Sequence, residues 1–236
     1  MNIVITGPNG FIGRKLLAKL KNFDLNIRVV DRSTPVTDFN NIFDSCDFCF
    51  HLAGEVRPTA TRDEFYRSNV LLTQNIIDCI DSNHGKTRIL FASTIHTQKP
   101  INDYGYSKLD AENIISSYNE KYNLTDLIFR LPHLFGAGAK PQHNSVFATW
   151  VYSVVEGKPL NVYDCDVKMT YIQVDELIDF FIKQLSSNER LNLPESYVIK
   201  LGALKEMILS LYNGARAKNK LESYTLDMIN EANKKK

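Results

Sequence analysis

The sequence predicts an α/β protein built on a Rossmann-like, doubly wound parallel sheet, with a small lobe formed by its C-terminal part. Three observations predict it. Short apolar runs alternate with stretches of helical period in a β-α-β-α-β order. A glycine-spaced turn joins the first run to the first helical stretch. After about residue 134 this regular order gives way to an irregular one. Strands of a parallel sheet have helices over both faces, so they read as continuous apolar runs. Right-handed crossovers then set such strands side by side in one sheet.

The elements follow in order. Residues 2–6 make the first strand, apolar through Ile3-Val4-Ile5 and cut off at Thr6-Gly7. A helix is expected over 11–21, and a second strand over 26–30 ends at Asp31. A short helix near 38–44 leads into a third strand at 47–52, with Phe48-Cys49-Phe50 at its centre. Phe65, Asn69, Leu72, Ile76 and Ile80 recur at helical spacing, so one long helix is expected over 62–80. A strand at 88–93 and a helix over 104–122 come next. The strand at 126–129 then opens a loop marked by Pro132, Gly136, Gly138 and Pro141. The remainder reads as a helix over 146–155, a strand near 160–163, a helix over 175–185, a strand–helix pair over 197–212 and a final helix. On this pattern a dinucleotide-binding domain takes 1–134, completed by 160–185. Segments 135–159 and 186–236 form the small substrate lobe, folded over the C-terminal edge of the sheet, where such folds bind ligands.

Composition narrows the function. The 236 residues carry 28 basic and 27 acidic side chains, a net charge of +1, which excludes the strong basic excess of a nucleic-acid binder. No apolar run approaches the roughly 18 residues of a membrane span, and Ile3-Val4-Ile5 is far too short for a signal-peptide core. Four cysteines without a framework spacing point to a reducing, cytoplasmic compartment. Cys46-x-x-Cys49 lies at and in a strand with no cluster to complete a metal site, so both read as buried apolar residues and no metal is expected. The terminal lysines 234–236 read as a frayed, solvated helix end.

Two motifs carry chemistry. Gly7-Pro8-Asn9-Gly10-Phe11-Ile12-Gly13 joins a strand to a helix, the context that dinucleotide binding requires. Gly7 permits the tight turn, Gly10 lets backbone approach a pyrophosphate, and Gly13 lets the helix pack close to the sheet. The N–H groups at the helix start, from Phe11 and Ile12 onwards, face the phosphates with the positive end of the helix dipole. Asp31, 18 residues beyond Gly13, can accept from the adenosine ribose hydroxyls and favours NAD(H). Its neighbour Arg32 could instead hold the 2′-phosphate of NADP(H), so both cofactors stay open.

The second motif is Tyr104-Gly105-Tyr106-Ser107-Lys108, at the start of the helix that follows Ser93-Thr94. Spacing of four puts Tyr104 and Lys108 on one helix face. A neighbouring ammonium favours the phenolate, which suits Tyr104 to general acid–base work near neutral pH. Thr94, with Ser93 as the alternative, can hydrogen-bond a reacting oxygen, and Lys108 can also hold the nicotinamide ribose. Outside these motifs, His51 reads as a core histidine. Arg57, His96 and His133 each read equally as a substrate contact or as structural.

Together these residues resemble the extended short-chain dehydrogenases/reductases, the NAD-dependent epimerase/dehydratase group. Segment 6–13 is similar to the family's cofactor loop. Residues 47–54, ending in Leu52-Ala53-Gly54, resemble the strand that runs along the cofactor. Asn69 resembles its structural asparagine, and Phe91-Ala92-Ser93-Thr94 its hydroxyl segment. The resemblance implies cofactor contacts from Asn69 and Pro132 as well, and a nucleotide-activated sugar as substrate. Segment 51–58, the short loop before Tyr104, Phe135-Gly136, Lys140-Pro141 and Asn144-Ser145-Val146-Phe147-Ala148-Thr149 are similar to reductase domains of surface-polysaccharide synthesis. Those domains reduce a UDP-linked 4-keto-6-deoxy-N-acetylhexosamine and are normally followed by a cupin domain, so the resemblance implies the reductase half. It also implies substrate contacts from Arg57, His96, His133, Asn144 and Ser145, and a homodimer formed through the helices of Asn69 and Tyr104.

The departures bear on substrate. His133 stands where the family has Asn, Met169 replaces its pyrophosphate-binding Arg, and Asp38 is only weakly carried over as an adenine contact. Thr94 is followed by Ile95-His96 in place of the Asp-Glu of the 4,6-dehydratases, which argues against dehydration. The alternatives to a 4-keto reductase are a 4-epimerase with the same trio and a non-catalytic dinucleotide sensor.

Overall fold

The computed structural model describes residues 1–83, 85–143 and 145–236. The chain divides into two compact units, Met1–Leu131 with Ile178–Leu193, and Pro132–Leu177 with Pro194–Lys236.

Among the described residues of the first unit, five parallel strands form one sheet: β1 (Asn2–Thr6), β2 (Asn26–Val30), β3 (Phe48–His51), β4 (Arg88–Thr94) and β5 (Leu127–Leu131). Their order is β2-β1-β3-β4-β5. The chain leaves β1 toward β2 and returns on its other side to β3, the topological switch at which such sheets bind ligands. The helices are α1 (Phe11–Leu20), α2 (Phe39–Phe43), α3 (Arg62–Phe65), α4 (Leu72–Ser82) and α5 (Asp103–Tyr122). One face of the sheet packs Val4, Cys49, Ile89, Phe91 and Ile128 against Phe39 and Phe43 of α2, Ile76 and Ile80 of α4, and Ile115 of α5. On the other, Phe50 and Phe129 meet Phe181 and Phe180. Both faces are buried, which is why the strands read as apolar runs.

The long helix expected over 62–80 is continuous but not uniform. Thr61 opens it with a capping box to Glu64. Residues Tyr66–Leu71 then form a π turn between α3 and α4. Spacing alone did not signal that insertion, which turns Asn69 into the interior, where it is 2 % exposed.

The second unit has a three-stranded sheet in the order β6-β7-β8, from β6 (His133–Phe135), β7 (Lys168–Gln173) and β8 (Tyr197–Lys200). β6 and β7 run parallel, β7 and β8 antiparallel. With them go α6 (Val146–Val155), α8 (Leu201–Tyr212), α9 (Lys220–Lys234) and the start of α7 (Val174–Ser186), within which the division between units falls. Phe135 stacks on Phe147 and meets the edges of Tyr171, Tyr197 and Tyr224, giving this unit an aromatic core.

Three expectations are corrected. No strand forms at 160–163: β7 is flanked by β6 and β8, and of this stretch Leu160 is buried while Tyr163 is fully exposed. The strand lies later, at Lys168–Gln173, and residues 133–135 of the expected loop pair with it. Segment 160–177 belongs to the second unit, and Ile178–Leu193 completes the first. The terminal lysines are exposed where α9 ends, in keeping with a solvated helix end, and Lys235 pairs there with Glu231.

Candidate active site

The glycine loop lies between β1 and α1. Gly7 has φ +68°, a left-handed conformation, and its N–H donates to Val30 O at 2.9 Å. The Gly10 N–H returns to Gly7 O at 3.1 Å. A Cβ on Gly13 would stand 2.1 Å from Gly7 O. Gly10 caps α1 without a side chain, so no cap side chain lies over the first-turn amides of half-buried Phe11 and Ile12.

Beside this loop the end of β3 is fixed by a buried hydrogen-bond chain. The N–H groups of Leu52 and Ala53 donate to Thr6 Oγ at 3.1 and 3.0 Å. Thr6 Oγ lies 2.8 Å from His51 Nδ1, His51 Nε2 lies 2.8 Å from Thr73 Oγ, and Thr73 donates to the carbonyl of Asn69 at 2.6 Å. That last bond sets the proton order. Thr73 Oγ accepts from Nε2–H, and Nδ1 accepts from Thr6. Burial, with the charge of Lys108, lowers the His51 pKa to about 3, so His51 is a neutral core histidine.

Asn69 accepts from Glu55 N at 2.8 Å and donates to Glu55 O at 3.2 Å and to Ser107 Oγ at 2.9 Å. Both its amide protons are used in joining the π turn to the β3 exit and α5. It packs so closely on Gly54 that a Cβ there would lie 2.8 Å from its Oδ1.

At the end of β2, Asp31 accepts from the N–H and hydroxyl of Ser33 at 2.9 and 2.6 Å, and from Asn9 of the glycine loop at 3.2 Å. The Ser33 bonds hold its carboxyl below the usual range. Arg32 donates to Glu55 at 3.2 Å. Arg57 takes the same carboxylate through Nε and Nη2 at 3.0 and 2.9 Å and pairs with Glu64. Burial alone would raise the pKa of Glu55, but the Arg57 side chain and the Val56 and Arg57 N–H groups outweigh it, and the value falls to about 2. Sequence reasoning missed this carboxylate: Glu55 falls in no predicted element, and Arg32 is 23 residues away on another strand's exit.

Thr94, Tyr104 and Lys108 come together at the C-terminal end of β4. Thr94 Oγ accepts from His96 N at 3.3 Å and lies near the Tyr104 phenol. Burial raises the phenol pKa and Thr94 opposes it. Lys108 Nζ, one turn along α5, donates to Ala92 O at 2.9 Å and lies 3.8 Å from the centre of the Phe91 ring. Burial brings the Lys108 amine down to about 7, against an upward pull from Glu112. The expected lowering of the Tyr104 phenol by a full ammonium is thus reversed in the protein alone. The lysine is itself half-titrated near neutrality, and desolvation governs the tyrosine. Ser93, the alternative hydroxyl, points to the opposite strand face, where it donates to Glu112. His96 is exposed, with its ring edge-on to Tyr104 at 6.1 Å.

The remaining candidates lie in the second unit. Pro132 is its first residue and half-buried. His133 pairs in register with Tyr171, ring centres 5.8 Å apart. Ser145 caps α6 by accepting from Ala148 N at 3.2 Å. Asn144 lies outside the described residues.

Comparison with known proteins places this arrangement. The NAD dependent epimerase/dehydratase family matches residues 3–199. The chain belongs to this family. Within it, UDP-2-acetamido-2,6-beta-L-arabino-hexul-4-ose reductase of Pseudomonas aeruginosa is 30% identical over 222 residues, covering 92% of this chain and 59% of that protein. The capsular polysaccharide assembling protein CapF from Staphylococcus aureus matches with a TM-score of 0.85 and 31% identity, over 98% of this chain and 66% of that one. UDP-glucuronic acid 4-epimerase from Bacillus cereus, solved with NAD, shares the fold at a TM-score of 0.84 and 16% identity, over 99% of each chain. The chain therefore spans less than two thirds of the first two proteins. The resemblance read from the glycine loop, the β3 exit and the Tyr104–Lys108 pair is borne out. The residues present also fit the family's NAD(H): side-chain-free backbone at Gly7, Gly10 and Gly13, and a carboxylate at the end of β2, suit a pyrophosphate and a ribose.

Proposed function

We propose that the protein is an NAD(H)-dependent reductase of a nucleotide-linked 4-keto-6-deoxy sugar, in surface polysaccharide synthesis. The observation that carries this is the gathering of Thr94, Tyr104 and Lys108 at the end of β4, with Lys108 Nζ held on Ala92 O at 2.9 Å one turn along α5 from Tyr104. The 30% identical reductase supports the choice of substrate class.

In this reading Gly7, Gly10, Phe11, Ile12 and Gly13 hold the pyrophosphate, Asp31 the adenosine ribose, and Leu52-Ala53-Gly54 line the nicotinamide side. NAD(H), when bound, supplies the hydride. Thr94 orients the carbonyl oxygen of the sugar, and Tyr104 donates its proton to that oxygen as the alcohol forms. A phenol kept protonated by burial suits that acid role. Lys108, when charged, stabilises the phenolate left behind. NAD(H) is favoured over NADP(H), because Asp31 ends β2 and the Arg32 guanidinium is bonded to Glu55. Exposed Tyr66, Leu71 and Tyr106, from the π turn and α5, support a homodimer through these helices. The free thiols of Cys46, Cys49, Cys79 and Cys165 are in keeping with a cytoplasmic location.

The test is absorbance at 340 nm with NADH or NADPH and a UDP-linked 4-keto-6-deoxy-N-acetylhexosamine. Substrate-dependent decay, faster with NADH and absent in Tyr104→Phe, is expected. Flat traces from protein that binds both cofactors would overturn the reductase. Copurifying, tightly held NAD would then favour the epimerase.

A further inference from the structure

α5 buries two opposite charges one turn apart. Lys108 is 4 % exposed and Glu112 3 %. Residues four apart on a helix share a face, with Cβ atoms about 5–6 Å apart. Both side chains also grip consecutive residues of β4. Lys108 Nζ donates to Ala92 O at 2.9 Å, and Glu112 accepts from the Ser93 hydroxyl. Thr97 adds a bond to the carboxylate at 2.9 Å. Arg130, on β5, takes it through Nε at 3.1 Å and Nη2 at 2.7 Å.

The partners of the two charges are unlike. Glu112 is met by a guanidinium and two hydroxyls. Lys108 meets a carbonyl and an aromatic face, which stabilise a cation less than a carboxylate does. From β3 it faces His51, which is neutral, and from its own helix Tyr104 and Glu112; the other residues of β4 beside it, Phe91, Ala92 and Ser93, do not titrate.

We propose that Glu112 is a positioning residue for the Tyr104–Lys108 pair: its buried carboxylate, fixed by Ser93, Thr97 and Arg130, favours the ammonium form of Lys108 against the pull of burial. This rests on the catalytic reading of that pair given above. The anchoring fixes the strength of the effect as well as its sign. Arg130 is half-exposed and offsets part of the carboxylate's field, so the lysine feels a tuned fraction of one negative charge. Without Glu112 the ammonium would face burial with no counter-charge on its own helix. Without Arg130 the carboxylate would act on it at greater strength.

The experiment is an NMR titration of the Lys108 ε-CH2 in the full chain labelled with ¹³C-lysine, assigned by Lys108→Arg. Unaltered protein is expected to give a midpoint near 7. Glu112→Gln moves it down by about one unit or more, as a unit charge at this range and an effective dielectric constant of about 20 requires. Glu112→Asp keeps most of it, and Arg130→Gln moves it up. Opposite displacements from two members of one network are not what a merely structural role produces. An unchanged midpoint in Glu112→Gln, or a downward one in Arg130→Gln, overturns the proposal. If Glu112→Gln fails to fold, the Arg130→Gln displacement still decides it. The same variants are then assayed for turnover against pH. Midpoints that move while the rate profile does not would leave Glu112's hold on Lys108 standing and sink the catalytic role of the lysine.

Discussion

The carbonyl oxygen of Gly7 lies 2.1 Å from the position a Cβ on Gly13 would occupy. Pro8 Cα lies 2.9 Å from the same point, so backbone surrounds it and no flexible side chain can give way. Gly13→Ala is therefore expected to displace the whole turn, lowering NADH affinity at least tenfold and destabilising the fold by about 2 kcal/mol or more. Gly10→Ala, whose Cβ would meet Gly7 O at 3.3 Å, leaves the melting temperature nearly unchanged. NADH fluorescence titration and thermal melts of the two variants check this. Equal melting temperatures would show that α1 does not depend on that approach.

Tyr104→Phe removes the proton donor and little else, since the ring keeps its packing against Phe65. Turnover is expected to fall by at least about 10²-fold with the dissociation constant for NADH within a factor of two. Thr94→Val should cost less, because it removes an orienting hydroxyl and leaves the acid in place. A Tyr104→Phe enzyme with more than a tenth of the activity would end the acid assignment.

His51 makes stability depend on pH. The folded protein keeps it neutral down to about 3, whereas the unfolded chain protonates it below about 6.5. Unfolding therefore takes up a proton between these values, and stability falls as pH drops from about 6.5 towards 3. The slope is at most about 1.4 kcal/mol per pH unit. Glu55, whose folded value is near 2 against an ordinary 4.5, adds its own loss only below 4.5. Urea denaturation between pH 6.5 and 4.5 thus isolates the histidine. A slope of equal size in His51→Gln would assign it elsewhere.

Lys108 works in the same sense, in a higher pH window. Its folded value near 7 lies below the ordinary 10.5, so the folded state bears a buried cation at and below neutrality and is relieved of it as pH rises. Lys108→Met is expected to raise the urea midpoint at pH 6, with a gain that shrinks between pH 7 and 10.5, and to abolish turnover. A variant less stable than the parent at pH 6 would show that the Ala92 and Phe91 contacts outweigh the burial.

Asp31→Asn keeps the turn bonds of Ser33 in part and removes the charge. It should weaken NADH by about tenfold, the range of one charge-assisted hydrogen bond, and narrow the preference over NADPH. Fluorescence titration with both cofactors measures the ratio; an unchanged ratio would move the choice of cofactor away from Asp31.

The strands, the glycine turn and the Tyr104–Lys108 pair were legible in the sequence because each is encoded by neighbours. Apolar runs mark β1 and β3, and Gly7, Gly10 and Gly13 stand at spacings a single turn imposes. Four residues bring Tyr104 and Lys108 to one helix face. Even the turning of Ser93 away from Thr94 follows from the two-residue period of β4. What the tertiary structure alone decided depends on contacts between distant positions. Glu112 meets Arg130 across 18 residues and Arg32 meets Glu55 across 23, because the order β2-β1-β3-β4-β5 sets those strands and loops side by side. The π turn at Asn69 is of the same kind, its side chain joined to Glu55 and Ser107. So are the short β6, formed only because β7 lies beside it, and the neutral state of His51. Local period carries no record of which face will be dry or which charge will find a partner there. Those follow from burial, which exists only once the chain has folded.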